Sequence, residues 1–132
     1  MAAKKVVIDP GHGGTGNVGG SDGNHATGPG GIMEKTLTLD IGLKVKESLG
    51  GQGYDVRMTR TTDENKSLVD RAHVARDCKA DVFVSVHFNA PGTSGQQIQG
   101  TETWVYEGTL PESPSFRLAE LVQAKVLEET RY

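Results

Sequence analysis

The sequence of 132 residues has one cysteine, no excess of basic residues and no long apolar run, and each lack closes off a class of protein. A single thiol, Cys78, cannot close an internal disulfide, so no disulfide framework shapes the fold, and Cys78 reads as an inert core thiol. Fourteen Lys and Arg against 17 Asp and Glu leave a net charge of -3, without the basic footprint that polyphosphate backbones require, so nucleic acid is not an expected partner. No stretch approaches the roughly 18 apolar residues of a membrane span, and residues 1–5 run into strand-like sequence without an apolar signal segment. Neither membrane insertion nor secretion is marked in the chain. One ordinary domain is expected, burying roughly two thirds of its unfolded surface and needing no metal for stability.

Glycine is abundant instead, and unevenly placed: ten of the 18 fall between Gly11 and Gly31, in GHGGTGNVGGSDGNHATGPGG. A loop this long inside a small domain is usually functional or disordered. Upstream, residues 5–9 form a short apolar run closed by Pro10-Gly11, the pattern of a buried strand ending in a turn. Residues 34–49 carry two periods at once, because Leu37, Leu39, Ile41, Leu43 and Val45 alternate while Leu37, Ile41, Val45 and Leu49 recur at i+4. Length and the Gly50-Gly51 stop favour a helix, buried on two sides.

A second strand is expected over residues 54–59. A helix follows from Ser67, with Asp70 three residues on, to about Lys79. Residues 81–87 are nearly continuously apolar, as in a strand covered on both faces of a parallel sheet. A fourth strand over 101–106 and a third helix over 115–130, striped by Leu118, Leu121, Val122 and Val126, complete the order. This alternation predicts an α/β domain with a twisted, largely parallel sheet flanked by helices.

In such sheets ligands gather beyond the carboxyl ends of the strands, and two of these ends carry histidine. His12 follows Asp9-Pro10-Gly11, and His87 follows Val86. Each reads either as a hydrogen-bonded structural residue or as a metal ligand. Glu34, at the start of the helix after the glycine loop, reads either as an acid complementing the helix dipole or as a third ligand. Two imidazoles and a carboxylate leave one coordination position free, the arrangement of catalytic zinc. Gly14-Thr15-Gly16-Asn17-Val18-Gly19 fits a dinucleotide fingerprint in letters, but the glycines and Pro29 that follow leave no helix to receive a pyrophosphate. His25 and His73, in the loop and in mid-helix, do not fit the ligand pattern. Asp9 reads equally as an acid orienting a ligand histidine and as a turn residue. Asn89 reads as a loop tie or a ligand contact, and Trp104 and Tyr106 as packing residues on their strand or as the border of a groove.

Four ordered blocks carry a resemblance: Val6-Val7-Ile8-Asp9-Pro10-Gly11-His12-Gly13-Gly14, Gly31-Ile32-Met33-Glu34-Lys35-Thr36-Leu37-Thr38-Leu39, Thr59-Arg60, and Val84-Ser85-Val86-His87-Phe88-Asn89-Ala90. Together they resemble the zinc-dependent N-acetylmuramoyl-L-alanine amidases of the amidase-3 type, found in bacterial cell-wall hydrolases and phage endolysins. The resemblance covers essentially the whole chain. It implies one Zn2+ ion held by His12, Glu34 and His87, a helix over 34–49, and hydrolysis of the amide between the lactyl group of muramic acid and L-alanine of peptidoglycan. Action outside the cytoplasmic membrane, in cell wall or periplasm, follows from that substrate. In the resembled family a second glutamate from a C-terminal segment serves as the base. No Pro-Ala-Val-Leu-Val-Glu strand of that kind occurs here. The catalytic base is thus unassigned, with Glu102 a weak substitute. The chain is expected to be part of a longer catalytic domain, or to receive the missing segment from a partner chain.

Overall fold

A computed structural model describes residues 2–89 and 100–131; Ala90, the last residue of the fourth block, lies outside these. The chain divides into two compact units, residues 1–90 and 91–132. In the first, strand β1 (Lys5–Pro10) is followed by a single 3-10 turn at Pro29–Gly31, helix α1 (Glu34–Gly51), β2 (Asp55–Met58), α2 (Leu68–Cys78) and β3 (Val82–Val86). The second carries α3 (Pro114–Thr130). All three strands run parallel in the order β2-β1-β3, with Ile8 opposite both Met58 and Val84. The α/β class and the parallel sheet are as the alternation of elements predicts.

β1 is central because its side chains are apolar on both faces, and Val7 is fully buried. Neighbouring side chains on a strand point to opposite faces. Ile8 and Pro10 lie near Gly42 of α1, whereas Asp9 pairs with Arg71 of α2, so the two helices cover opposite faces of β1. Among the described residues β3 is at the edge of the sheet, and its residues alternate between half-buried and exposed, Phe83 being 43% exposed, rather than being uniformly buried as the apolar run suggests.

α1 also departs from expectation, since it buries one stripe, Glu34, Lys35, Thr38 and Gly42, rather than two sides. The stripe contains no aliphatic side chain because the helix backbone lies too close to the sheet. A Cβ at Gly42 would stand 2.8 Å from Pro10 Cγ and 3.1 Å from Met58 Cε. Leu37, Ile41, Val45 and Leu49 flank it, half-buried. Gly42→Ala is expected to lower the thermal unfolding midpoint, overpacking costs of about 1–3 kcal/mol outweighing the roughly 0.5–1 kcal/mol gained in helix preference. An unchanged or raised midpoint would mean that α1 can lift off the sheet freely.

α2 starts as its sequence predicts: the Ser67 hydroxyl accepts from the Asp70 N–H at 3.0 Å and donates to the Asp70 carboxylate. It stops at Lys79, in the left-handed conformation. Cys78 sits half-buried in its last turn rather than in the core. Residues 101–106 form no strand, and Trp104 and Tyr106 are 80% and 78% exposed instead of packed on a sheet. Their alternation is a local pattern, and a strand also needs a neighbour to take its backbone hydrogen bonds. No helix among the described residues is long and apolar enough to cross a membrane.

Candidate metal centre

The site is built where β1 and β3 end side by side. The Gly11 N–H donates to the Val86 carbonyl at 3.0 Å, extending the pairing one residue beyond β1. The chain then turns sharply, His12 adopting φ 61° and Gly13 and Gly14 φ 133° and 63°. A left-handed histidine is uncommon and needs support from its surroundings. Two buried guanidinium groups supply it. Arg71 donates to the carbonyls of Pro10 and His12, both at 2.9 Å, and Arg60 to those of Pro10 and Gly11, also at 2.9 Å. Burial, with Arg71 close by, holds the Arg60 guanidinium below its ordinary pKa.

The glycine loop is pinned along its length. Lys35 Nζ donates to the Gly14 carbonyl at 2.7 Å and to Asp63 at 2.9 Å, and the Gly14 N–H donates to Asp63 at 2.8 Å. The Lys35 ammonium and then the Gly14 N–H hold the Asp63 carboxyl below its usual range. Within this loop Gly14 to Gly19 open no helix; Val18 and Ser21 pair across a turn through Gly19 and Gly20, the geometry that the dinucleotide reading excludes.

His12, Glu34 and His87 converge. His12 Nε2, His87 Nδ1 and Glu34 Oε1 form a triangle with all three sides 3.1 Å. Glu34 opens α1 and is 2% exposed. Its carboxylate accepts from the Ala26 N–H at 3.1 Å on one oxygen and from the Phe88 N–H at 2.8 Å on the other. Neither donor belongs to its own helix, so Glu34 faces the strand ends rather than capping α1. His87 lies flat against Gly11, where a Cβ would come within 2.3 to 2.7 Å of three of its ring atoms.

The sequence gives no warning of Asp22, whose carboxylate takes a hydrogen bond from His12 Nδ1. With the ring proton on Nδ1, Nε2 turns a lone pair toward the carboxylate of Glu34. Lone pairs facing each other at 3.1 Å repel unless a proton or a metal cation lies between them. A tetrahedral zinc with ligands at ~2.0–2.1 Å requires donor atoms roughly 3.3 Å apart. The two-imidazole, one-carboxylate donor set and its spacing therefore fit a zinc ion, and the half-exposed His87 leaves one side open.

The other candidates contribute no atom to the triangle. Asp9 neither orients a histidine nor makes a turn: its carboxylate accepts from Arg71, Thr59 and Ser85, forming a buried knot beneath the site. His25 is exposed and stacks on His12 with ring centroids 6.3 Å apart, its Nδ1 3.4 Å from Asp22. His73 is half-buried on α2, and Asn89 is exposed two residues after His87. Glu102 is exposed in the second unit. Beside the triad a cleft of about 410 Å³ opens between α2 and β3, lined by Leu68, Ala72, Ala75 and Phe83, with His12 and His87 at its wall.

Comparison with known proteins adds a second line of support. The amidase-3 family model, N-acetylmuramoyl-L-alanine amidase, matches residues 6–132. The endolysin of Bacillus phage SPP1 is 39% identical over 133 residues, covering 98% of this chain and 42% of the endolysin. An N-acetylmuramoyl-L-alanine amidase from Clostridium difficile 630 superposes with a TM-score of 0.81 at 35% identity, over 97% of this chain and 64% of that one. The corresponding values for an amidase of Nostoc punctiforme are 0.79 and 34%, over 95% and 62%. The chain spans less than two thirds of the length of each.

Proposed function

Because the chain belongs to the N-acetylmuramoyl-L-alanine amidase family, we propose that it acts on peptidoglycan, hydrolysing the amide between N-acetylmuramic acid and L-alanine with one zinc ion held by His12, Glu34 and His87. Residues 1–132 then belong to a single catalytic domain, whose site of action is the wall outside the cytoplasmic membrane. The observation that carries this reading is the 3.1 Å triangle of donor atoms at the carboxyl ends of two paired strands.

A zinc ion bound there would supply a Lewis acid that polarises the scissile carbonyl and makes water a nucleophile near neutral pH. The chain's own residues prepare the place for it. Asp22 holds the proton of His12 on Nδ1 and leaves Nε2 free to ligate. The N–H groups of Ala26 and Phe88 hold Glu34 in one orientation, so its charge is available to balance a dication without rearrangement. The open side next to His87 and the adjoining cleft leave room for an extended substrate to approach.

Two measurements on the full chain test the reading: zinc content after dialysis, and release of stem peptide from purified muropeptide. One zinc per chain is expected, with affinity lowered roughly 100-fold or more in each of His12→Ala, Glu34→Ala and His87→Ala, since loss of a direct ligand exceeds the 10–100-fold typical of outer partners. Stem-peptide release should fall in step. A wild-type chain without affinity for zinc would overturn the metal reading. Muropeptide binding without hydrolysis would favour a silent wall-binding module.

A further inference from the structure

The Thr59-Arg60 block contributes no atom to the triangle, yet Arg60 is among the most buried side chains, 1% exposed. Among the described residues its guanidinium meets no carboxylate within hydrogen-bond distance. Nε donates to the Pro10 carbonyl at 2.9 Å and Nη1 to Thr62 at 3.0 Å. Nη2 donates to Gly11 at 2.9 Å and to Lys35 at 2.8 Å, with the Thr38 hydroxyl at 3.0 Å. That hydroxyl in turn donates to the Gly11 carbonyl at 2.8 Å. Burying a cation among neutral carbonyls is a costly way to hold a fold together, since a well-packed apolar side chain often serves stability as well or better.

The identity of the partners explains the arrangement. Gly11 immediately precedes His12, and Lys35 immediately follows Glu34. One nitrogen of a rigid planar fork thus ties the backbone beside one side chain of the triangle to the backbone beside another. We infer that Arg60, with Thr38, is a positioning residue that sets the separation of His12 from Glu34 and so the metal affinity of the site. The inference rests on the proposed metal reading. Lysine cannot replace the fork, because a single ammonium is a point donor on a flexible stem.

The test compares zinc affinity, by competition with a chelator, and the visible spectrum of the Co2+-loaded full chain. Arg60→Lys and Thr38→Val are the variants, with Val7→Ala in β1 as a control destabilised through the core alone. All are measured well below their unfolding midpoints. Arg60→Lys and Thr38→Val are expected to bind zinc 10- to 100-fold more weakly and to show an altered cobalt spectrum, while Val7→Ala keeps wild-type affinity and spectrum despite a lower midpoint. Should Arg60→Lys fail to fold, Thr38→Val carries the comparison. Wild-type affinity in the folded variants, or a loss in Val7→Ala of the same size, would overturn the positioning role while leaving the metal site intact. Absence of zinc binding in the wild type would instead overturn the metal reading itself.

Discussion

Arg71→Ala is expected to cost about 3–5 kcal/mol of folding stability, the range found when one partner of a buried ion pair is removed. Arg71 meets Asp9 at 2.7 Å, and both side chains are almost wholly buried. The same guanidinium holds the carbonyls of Pro10 and His12. Truncation would leave a carboxylate beneath the sheet with only the hydroxyls of Thr59 and Ser85 for company, and would release the strained His12 turn. Urea denaturation should show the loss as a lower midpoint at unchanged slope. The double variant Asp9→Asn with Arg71→Met should recover part of it, because no uncompensated charge is then buried. A loss below about 1 kcal/mol for Arg71→Ala would mean that water reaches Asp9.

Gly11→Ala is expected to damage the site more than the fold. The added methyl would overlap His87 Cε1, Nε2 and Nδ1 at 2.3, 2.5 and 2.7 Å, and Nδ1 is a corner of the donor triangle. Relief requires the ring to swing off β1 and out of the triangle. Overpacking of this kind costs about 1–3 kcal/mol in stability, whereas displacement of one ligand of three should weaken zinc binding roughly 100-fold or more, beyond the effect of outer partners. Isothermal titration with zinc, beside thermal unfolding, separates the two quantities. Undiminished zinc affinity in a folded Gly11→Ala chain would show that His87 can ligate from another rotamer.

Reading the chain locally goes far for elements whose signals are local. The apolar run ending in Pro10-Gly11, the Ser67 cap with Asp70, and the i+4 recurrence after Glu34 each specify structure within a few residues, and β1, α1 and α2 form where those signals lie. The same reasoning misjudges residues 101–106, because alternation describes a strand's faces and says nothing of whether a neighbour is present to pair with it. It also misjudges α1, whose aliphatic period marks the flanks of the buried stripe rather than the stripe itself.

For the site, chain order alone selects His12, Glu34 and His87 as candidates, since strand ends and a helix start are legible positions. Asp22 carries no such mark. It is one acid in a run of glycines, and only the folded loop brings it to His12. Asp9 is conspicuous in sequence for its place before Pro-Gly, yet its partners come from Arg71, 62 positions away, and from Thr59 and Ser85.

By itself, then, the sequence determined where β1, α1, β2, α2, β3 and α3 form, that the sheet is parallel, and that His12, Glu34 and His87 stand where chemistry is possible; those depend on period, caps, turns and the order of elements along the chain. Tertiary structure alone decided that β1 lies between β2 and β3, that Arg60 spans Gly11 and Lys35, and that three donor atoms meet at 3.1 Å. Those facts depend on contacts between residues tens of positions apart, which no local pattern encodes and which form only when the buried backbone carbonyls of the site find donors.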